Sequence, residues 1–249
     1  MQSEHQYYIR VNMQHWNARA KRERANKDNM FKQIRDDVSS YFEKWEPKLA
    51  LYLKHIKRKK IVVPQFGDGL VMLACAKKGA VVTGVDFSSE QIRFAKEAAA
   101  YCGVNIMLVK ADWQNLPKNI PNNHFDLVVA ECGIFIWIAD LSAWMRNANK
   151  LLKKNGKLVV SDFHPISLIT EENNGKVTFK KSYFDQHPQV HQSESGLPPS
   201  IEFLWKLSDI INAAIQAGFR INCVEEYYVK KGESIPFLPT DFLLVATKE

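Results

Sequence analysis

The segment 61–88 constrains the fold of this chain more than any other part of it. A short apolar run precedes the closely spaced Gly67 and Gly69, and a β-branched run leads to Asp86. This pattern predicts two strands, over 61–63 and 81–85, joined by a glycine turn and a helix over 70–78. Glycines let such a turn approach a ligand closely, and a carboxylate after the second strand can bind both hydroxyls of a ribose. The segment therefore predicts a nucleotide-cofactor site.

The alternation of strands and helices continues along the chain. Ser88 and Gln91 have the spacing of a capping box, which begins a helix directly after Asp86. The segments 125–130 and 157–163 each contain a continuous apolar run, as expected of parallel strands covered on both faces. The other predicted elements are a strand at 106–110, a helix at 141–152 ended by a turn at 153–156, a helix at 206–217 and strands at 219–228 and 242–247. An α/β fold follows from this order.

The stretch 166–200 interrupts the alternation. It is rich in turn-forming residues and is predicted to be irregular. A loop of this length in a compact domain usually has a function or is disordered. Its aromatic residues, Phe179, Tyr183 and Phe184, favour packing over a site rather than disorder.

Composition indicates one domain with appended segments, because 249 residues with 46% hydrophobic content suffice for a full core. The first residues contain no apolar run, so we expect neither a signal peptide nor a transmembrane helix, and a cytoplasmic location. The four cysteines lie far apart and form no Cys-x-x-Cys pair, which predicts reduced thiols and no zinc site. Only Cys132, after a predicted strand, is placed to line a site.

Positive charge is concentrated near the N-terminus. Residues 1–60 carry 15 Lys and Arg against seven Asp and Glu, whereas the rest of the chain is nearly neutral. The clusters at 19–27 and 54–60 could contact RNA phosphates or an acidic substrate. No nucleic-acid motif or interleaved aromatic residues accompany them, so solvated helix faces are the preferred interpretation and nucleic-acid binding is not expected.

Five segments together resemble the class I S-adenosylmethionine-dependent methyltransferases, in the order and spacing of that family. They are Val82-Thr-Gly-Val-Asp-Phe-Ser88, Lys110-Ala-Asp-Trp113, Phe125-Asp-Leu-Val-Val-Ala-Glu131, Leu151-Leu-Lys-Lys-Asn-Gly-Lys-Leu158 and Asp162-Phe-His-Pro165. The segment 204–219 is similar to the last helix of the small-molecule branch, in which an acceptor-covering insertion also precedes that helix.

The resemblance implies a Rossmann-like, seven-stranded, mostly parallel sheet with helices on both faces and the last strand antiparallel. It divides the chain into a methyltransferase domain at 58–249, with an acceptor-covering insertion at about 166–204, and an N-terminal helical lid and basic segment at 1–57. The implied cofactor is S-adenosyl-L-methionine and the implied partner is a small-molecule acceptor. Neither the acceptor, nor the methylated atom, nor the oligomeric state follows from the sequence.

The resemblance also assigns roles to residues by position. Asp86 would hold the ribose hydroxyls of the cofactor, Phe87 would flank the adenine, and Asp112 would accept the adenine amino group. Asp112 could instead cap a turn. The other implied cofactor contacts are the methionine-binding turn of Gly67, Asp68 and Gly69, and Trp113, which would pack on the adenine ring.

The first glycine motif departs from the family pattern, because Val63 stands where an acidic residue is usual and Gln65 where the first glycine is usual. Two outcomes are open. Gln65 supplies a substitute amide contact to the cofactor, or the site has lost cofactor binding and the protein is a methyltransferase-like protein with a non-catalytic binding role. An RNA methyltransferase is less favoured. A nicotinamide-dependent dehydrogenase is also less favoured, because a third glycine is missing.

Two residues just after predicted strands are candidates for a general base, Glu131 and His164. Glu131 could contact the cofactor instead, and His164 could simply hydrogen-bond the turn before Pro165. His187 and His191 are not expected to bind a metal, because Pro188 prevents a helix that would align them and no third ligand is evident.

The N-terminal region resembles the helical lid of related methyltransferases, which closes over donor and acceptor. Tyr8 and Trp16 are its candidate substrate contacts, together with Tyr183 of the insertion. The alternative for Tyr8 and Trp16 is that they form the apolar face of a helix that packs on the core.

Overall fold

The centre of the molecule is a seven-stranded sheet, seen in a computed structural model that describes residues 2–23, 28–173, 176–193, 196–229 and 237–249. Its strands are β1 Lys60–Pro64, β2 Val81–Asp86, β3 Met107–Lys110, β4 Phe125–Glu131, β5 Leu152–Phe163, β10 Phe219–Tyr227 and β11 Asp241–Lys248. Four short strands lie outside this sheet: β6 Thr170–Asn173, β7 Lys176–Phe179, β8 Gln189–His191 and β9 Ser200–Glu202.

Helices cover both faces of the sheet. Those before β1 are α1 Gln2–Glu23, α2 Asp28–Asp36, α3 Val38–Trp45 and α4 Pro47–Tyr52. Those after it are α5 Leu70–Lys77, α6 Ser89–Cys102, α7 Leu141–Leu151, α8 Pro165–Ile169 and α9 Leu207–Gln216. Short 3₁₀ turns at Trp113–Asn115 and Phe135–Trp137 follow β3 and β4.

The strand order is β10-β11-β5-β4-β1-β2-β3. Strands β3, β2, β1, β4 and β5 pair in parallel, and β11 runs antiparallel between β5 and β10. The predicted α/β class and the Rossmann-like, mostly parallel sheet with an antiparallel last strand are confirmed. Because the carboxyl ends of parallel strands meet at one edge, Asp86, Glu131 and Asp162 lie along the same edge of the sheet.

The predicted turn at 153–156 is wrong as a separate element. Phe125 pairs with Leu152 and Leu127 pairs with Lys157. Residues 153–156 therefore form a bulge within one long strand, β5. The left-handed residue of the bulge is Asn155, with φ of 62°, whereas a Cβ on Gly156 would lie only 2.8 Å from the carbonyl oxygen of Lys153. Gly156 is therefore needed for close backbone approach rather than to end α7.

The insertion after β5 is more regular than its sequence predicts. It begins with α8 and continues into two antiparallel hairpins, β6–β7 and β8–β9. The strands are short, and polar residues interrupt their apolar alternation, which is the signal that sequence patterns depend on.

Apolar side chains fill both sides of the sheet. Ile61 and Val63 point into a core shared with α2–α6, whereas Val62 points into a core shared with α7 and α9. Phe31 of α2 and Leu49 of α4 belong to the first core, so the helices before β1 help to bury the sheet. None of the helices in the described ranges combines the length and apolar character that a bilayer span requires.

Gly84 in β2 lies where α5 and the glycine turn press against the sheet. A Cβ at this position would lie 2.8 Å from Cδ1 of Phe66 and would collide with Sδ of Met72. Gly84→Ala is therefore expected to lower the free energy of unfolding by about 1–3 kcal/mol, as overpacking does. Urea denaturation would measure this loss.

Val81→Ala is the matched control in the same strand, because Val81 is 58% exposed. Its expected cost is within about 0.5 kcal/mol. Equal stability of Gly84→Ala and the wild type would show that Phe66 and Met72 move aside freely.

Candidate ligand site at the carboxyl edge of the sheet

The turn after β1 alternates between left-handed and ordinary backbone. Gln65, Gly67 and Gly69 have φ of 45°, 54° and 77°. Glycine adopts this region freely, but a non-glycine residue there carries a cost of roughly 1 kcal/mol or more. The conformation expected of a glycine turn is thus kept even where Gln65 replaces glycine.

Two hydrogen bonds hold Gln65 in this strained conformation. Its backbone N–H donates to the carbonyl oxygen of Val85 at 2.6 Å, and its side-chain oxygen accepts the indole N–H of Trp144 at 2.8 Å. Trp144 is fully buried, so this bond also satisfies a donor that would otherwise be stranded in the core. The amide oxygen of Gln65 is therefore engaged with the core, although the residue still lines the neighbouring cavity.

Asp86 is a buried carboxylate at the end of β2. It accepts the backbone N–H of Ser88 at 2.8 Å and also those of Gly67 and Phe87. Burial raises the pKa of Asp86 to about 7, and these three N–H groups oppose that rise. The carboxyl group thus connects the glycine turn to the start of α6, where Ser88 caps the helix by accepting the N–H of Gln91, as the sequence predicts.

A cavity of about 160 Å³ lies above this turn, and we call it the turn cavity. Asp68, Asp86, Phe87 and Glu131 contribute to its walls. Its other lining residues are Trp16, Arg19, Ala20, Gln65, Phe66, Gly67, Gln91, Phe94, Cys132, Gly133, Ile134 and Trp137. Most of the residues predicted to bind a cofactor therefore surround one cavity.

Asp162, at the end of β5, shapes the opposite wall of the turn cavity. Its Oδ1 accepts the backbone N–H groups of Gly133, Ile134 and Phe163, and its Oδ2 accepts that of Phe135 at 3.0 Å. Burial raises the pKa of Asp162 to about 6 against these donors. Sequence reasoning missed this role, although an acidic residue ending an apolar strand was an available signal.

Glu131 meets a second carboxyl group that the sequence did not indicate. Its side chain hydrogen-bonds that of Glu46, between α3 and α4, and accepts the N–H of Val71 in α5. Burial is the main reason that the pKa values of both carboxyl groups are raised, and mutual repulsion adds to the rise at Glu131. No local pattern around Glu46 predicts this contact, because the two residues are distant in the chain.

A larger cavity of about 710 Å³ adjoins the turn cavity, and we call it the outer cavity. Cys132 lines both cavities, so they meet at this residue. Glu46, Ser161 and Tyr227 line the outer cavity, and the hydroxyls of Ser161 and Tyr227 hydrogen-bond at 2.7 Å. Its other walls come from residues 44–48, 163, 167, 168, 170, 177, 228, 229 and 238–241.

Helix α1 lies across the turn cavity. Trp16 lines the cavity and packs edge-to-face on Trp137 with 5.2 Å between ring centroids. The Asn12 side chain makes two hydrogen bonds with the backbone of Ile201, at 2.9 and 2.8 Å, and Asn17 accepts the Ser88 hydroxyl at 2.7 Å. Trp16 therefore lines the turn cavity, and α1 contacts both the insertion and α6.

Asp112 and Trp113 lie outside the residues that line the two cavities. Asp112 accepts the backbone N–H of Gln114 at 3.0 Å, which is the contact expected if Asp112 caps the turn. Its carboxylate also lies 3.3 Å from the ring of His5. Trp113 has no exposed surface and donates its indole N–H to the carbonyl oxygen of Trp144. The prediction that Trp113 packs on a bound ring is therefore wrong, because its side chain belongs to the core.

Three further candidates line neither cavity. His164 is 6% exposed, accepts the N–H of Ile166 and contacts Glu226 at 2.8 Å, and these contacts fit the alternative that it hydrogen-bonds the turn. Burial lowers the pKa of His164, and Glu226 partly offsets this. Tyr183 accepts the N–H of Leu207, whereas Tyr8 donates to Glu4 and packs on Phe203. Within the described residues, no group of His, Cys, Asp and Glu could hold a metal ion.

Comparisons with known proteins agree with this geometry. Residues 65–156 match a family described as methyltransferase domain. Over 106 residues the chain is 33% identical to a ubiquinone biosynthesis O-methyltransferase of Coxiella burnetii, a match covering 43% of this chain and 44% of that protein. Over 99 residues it is 32% identical to a demethylmenaquinone methyltransferase of Thermus thermophilus, covering 40% and 44%. The chain thus spans less than half the length of these curated relatives.

The fold likeness extends further than the sequence likeness. The structure of an S-adenosylmethionine-dependent methyltransferase from Mesorhizobium loti matches 81% of this chain and 96% of that chain, with a TM-score of 0.68 and 23% identity. The methyltransferase-domain match at residues 65–156 and the shared fold agree with the family resemblance read from the sequence.

Asp162→Asn is expected to lower the free energy of unfolding by about 1–3 kcal/mol, because the amide NH₂ cannot accept the N–H that Oδ2 accepts now. Chemical denaturation would measure the loss. Asp140→Asn is the matched control, since Asp140 caps α7 with one bond to Ala143 and Asn caps equally well. Equal costs for the two variants would contradict the role given to Asp162.

Val63→Asp restores the usual acidic residue of the family but is expected to destabilise this protein by several kcal/mol, on the order of 3 or more. Val63 is 2% exposed and packs in the first core with Phe66 and Met72. Thermal unfolding would report the loss. Met107→Asp, at an exposed position of β3, is the control and should unfold near the wild-type temperature. A stable Val63→Asp variant would show that this site still accommodates a carboxylate.

Proposed function

We propose that this chain, which matches a methyltransferase domain over residues 65–156 and shares the fold of S-adenosylmethionine-dependent methyltransferases, transfers a methyl group from S-adenosyl-L-methionine to a small-molecule acceptor. The observation that carries the proposal is the meeting of the turn cavity and the outer cavity at Cys132. One cavity has the features of a nucleotide site, and the other is large enough for a second small molecule.

The residues of the turn cavity fit the cofactor. A Cβ on Gly67 would meet no atom within 4 Å, so the backbone there is open to an approaching ligand. Asp86 presents a carboxyl group already ordered by three N–H donors, which suits the two ribose hydroxyls. Phe87 and Phe94 supply apolar surface for a base, and Asp68 supplies negative charge for a cationic methionine group.

When bound, the cofactor supplies an electrophilic methyl group on a positively charged sulfur. The protein's part is to align the acceptor with that carbon and to exclude water, which can account for much of the acceleration of such a displacement. Trp16 and Trp137 cover the turn cavity, and the loop held by Asp162 forms the wall beside Cys132. Methyl transfer would therefore take place beside Cys132.

The outer cavity supports a small acceptor rather than RNA. Its walls include Phe163, Tyr227 and Tyr228, which offer apolar and aromatic surface to an organic molecule. The basic run 54–60 leads into the amino end of β1, at the opposite edge of the sheet from both cavities. RNA phosphates bound there would not place a base beside Cys132.

Titration of the protein with S-adenosyl-L-methionine by calorimetry tests the donor site. We expect micromolar affinity, roughly −8 kcal/mol. Asp86→Asn should weaken binding by about 10–100-fold, because hydrogen bonds to a charged group contribute roughly 1.5–3 kcal/mol.

Asp112→Asn is the matched control, and it should bind within about twofold of the wild type if Asp112 only caps its turn, since Asn is an equally good cap. A similar loss in both variants would instead support the adenine contact implied by the family. Absence of binding to the wild-type protein would favour the non-catalytic alternative.

A further inference from the structure

The Glu46–Glu131 pair occupies the boundary between the two cavities. Glu131 lines the turn cavity, Glu46 lines the outer cavity, and their side chains hydrogen-bond across the boundary. Two carboxyl groups can make this bond only if a proton lies between them, so the pair holds one proton and one negative charge. A molecule in the outer cavity therefore meets a carboxyl group directly beside the methyl donor's site.

The charges around the pair are mostly negative. Asp68 from the glycine turn and Asp241 from β11 raise the pKa of Glu46, and Asp68 also raises that of Glu131. The other titratable groups that face this region are Tyr41, Cys75, Cys132 and Tyr227, together with Lys44 and Lys48 at the wall of the outer cavity. Lys48 pairs with Glu225, and its ammonium lies 5.2 Å from the Tyr227 ring centroid. Arg19 also lines the turn cavity, but the charged groups that raise the pKa values of the pair are all carboxylates.

Aromatic rings in the walls of the outer cavity suit a cationic occupant, and the ammonium groups of Lys44 and Lys48 already lie near two of them, Trp45 and Tyr227. The cavity has room for a small organic molecule, and the aromatic rings of Trp45, Phe163, Tyr227 and Tyr228 lie in its walls. Aromatic faces attract ammonium groups, and a buried carboxylate is costly unless a cation or hydrogen-bond donors compensate it. A neutral hydroxyl acceptor would leave the negative charge of the pair uncompensated, whereas an ammonium group would neutralise it.

We infer that the methyl acceptor is a protonated amine and that the Glu46–Glu131 pair binds its ammonium group and takes its proton. This inference rests on the proposed methyl transfer. In the step, the ammonium N–H bond breaks and the pair, which already holds one proton, receives a second. The nitrogen lone pair then forms the new N–CH₃ bond while the S–CH₃ bond breaks, and that electron pair stays on sulfur. The product is a methylated ammonium ion beside a neutral thioether.

Binding of matched probes tests the recognition part. In protein saturated with S-adenosyl-L-homocysteine, 2-phenylethylamine should bind at least tenfold more tightly than 2-phenylethanol, which has the same ring and chain length. The amine affinity should rise as the pH is raised from 6 to 9, because a bound cation favours the ionised pair, whose pKa values are raised by burial. The alcohol affinity should not change.

Glu46→Gln should abolish both the preference for the amine and its dependence on pH, while leaving S-adenosyl-L-homocysteine affinity within about threefold, since Glu46 does not line the turn cavity. Glu131→Gln should likewise abolish the preference for the amine and the pH dependence of its binding. Glu43→Gln, at an exposed position of α3, is the matched control and should behave as the wild type.

Equal binding of amine and alcohol, or an unchanged preference in Glu46→Gln, would overturn the inference. Binding of S-adenosyl-L-homocysteine is measured separately, so a failure of the donor site can be told apart from a failure of amine recognition. If the wild-type protein does not bind S-adenosyl-L-homocysteine, the proposed function itself is contradicted.

Discussion

Carboxylates buried at the ends of parallel strands organise the whole carboxyl edge of this sheet. Asp86 gathers the N–H groups of the glycine turn and the start of α6, and Asp162 gathers those of the loop after β4. Each carboxylate is an acceptor in a region where burial would otherwise strand backbone donors. Together they fix the two walls of the turn cavity, so the shape of the cavity depends on them.

The variant glycine motif is compatible with this arrangement because its two unusual residues, Val63 and Gln65, make contacts with the core. Gln65 keeps the left-handed backbone and gives its side-chain oxygen to the indole of Trp144. Val63 fills apolar space between the sheet and α5, where an acidic residue would need a partner. Both residues thus have structural roles in this chain. Their presence is therefore not by itself evidence that the site has lost cofactor binding.

Helix α1 connects three parts of the molecule. It places Trp16 over the turn cavity, binds the insertion through Asn12 and supports the cap of α6 through Asn17. The Asn12 contact with Ile201 replaces two backbone hydrogen bonds of β9, which ties the position of the insertion to that of α1. Helix α1 is therefore joined by hydrogen bonds to both the insertion and α6.

The sequence by itself determined the parallel sheet, the glycine turn, the cap of α6 and the edge on which Asp86 and Glu131 lie, because apolar periodicity and turn chemistry are local properties. Only the tertiary structure decided which way side chains at that edge point. Trp113 enters the core, His164 pairs with Glu226, and Glu46 reaches Glu131. The bulge at 153–156 likewise arises from pairing with β4. Such contacts join segments distant in the chain, and no local pattern encodes which of them will meet.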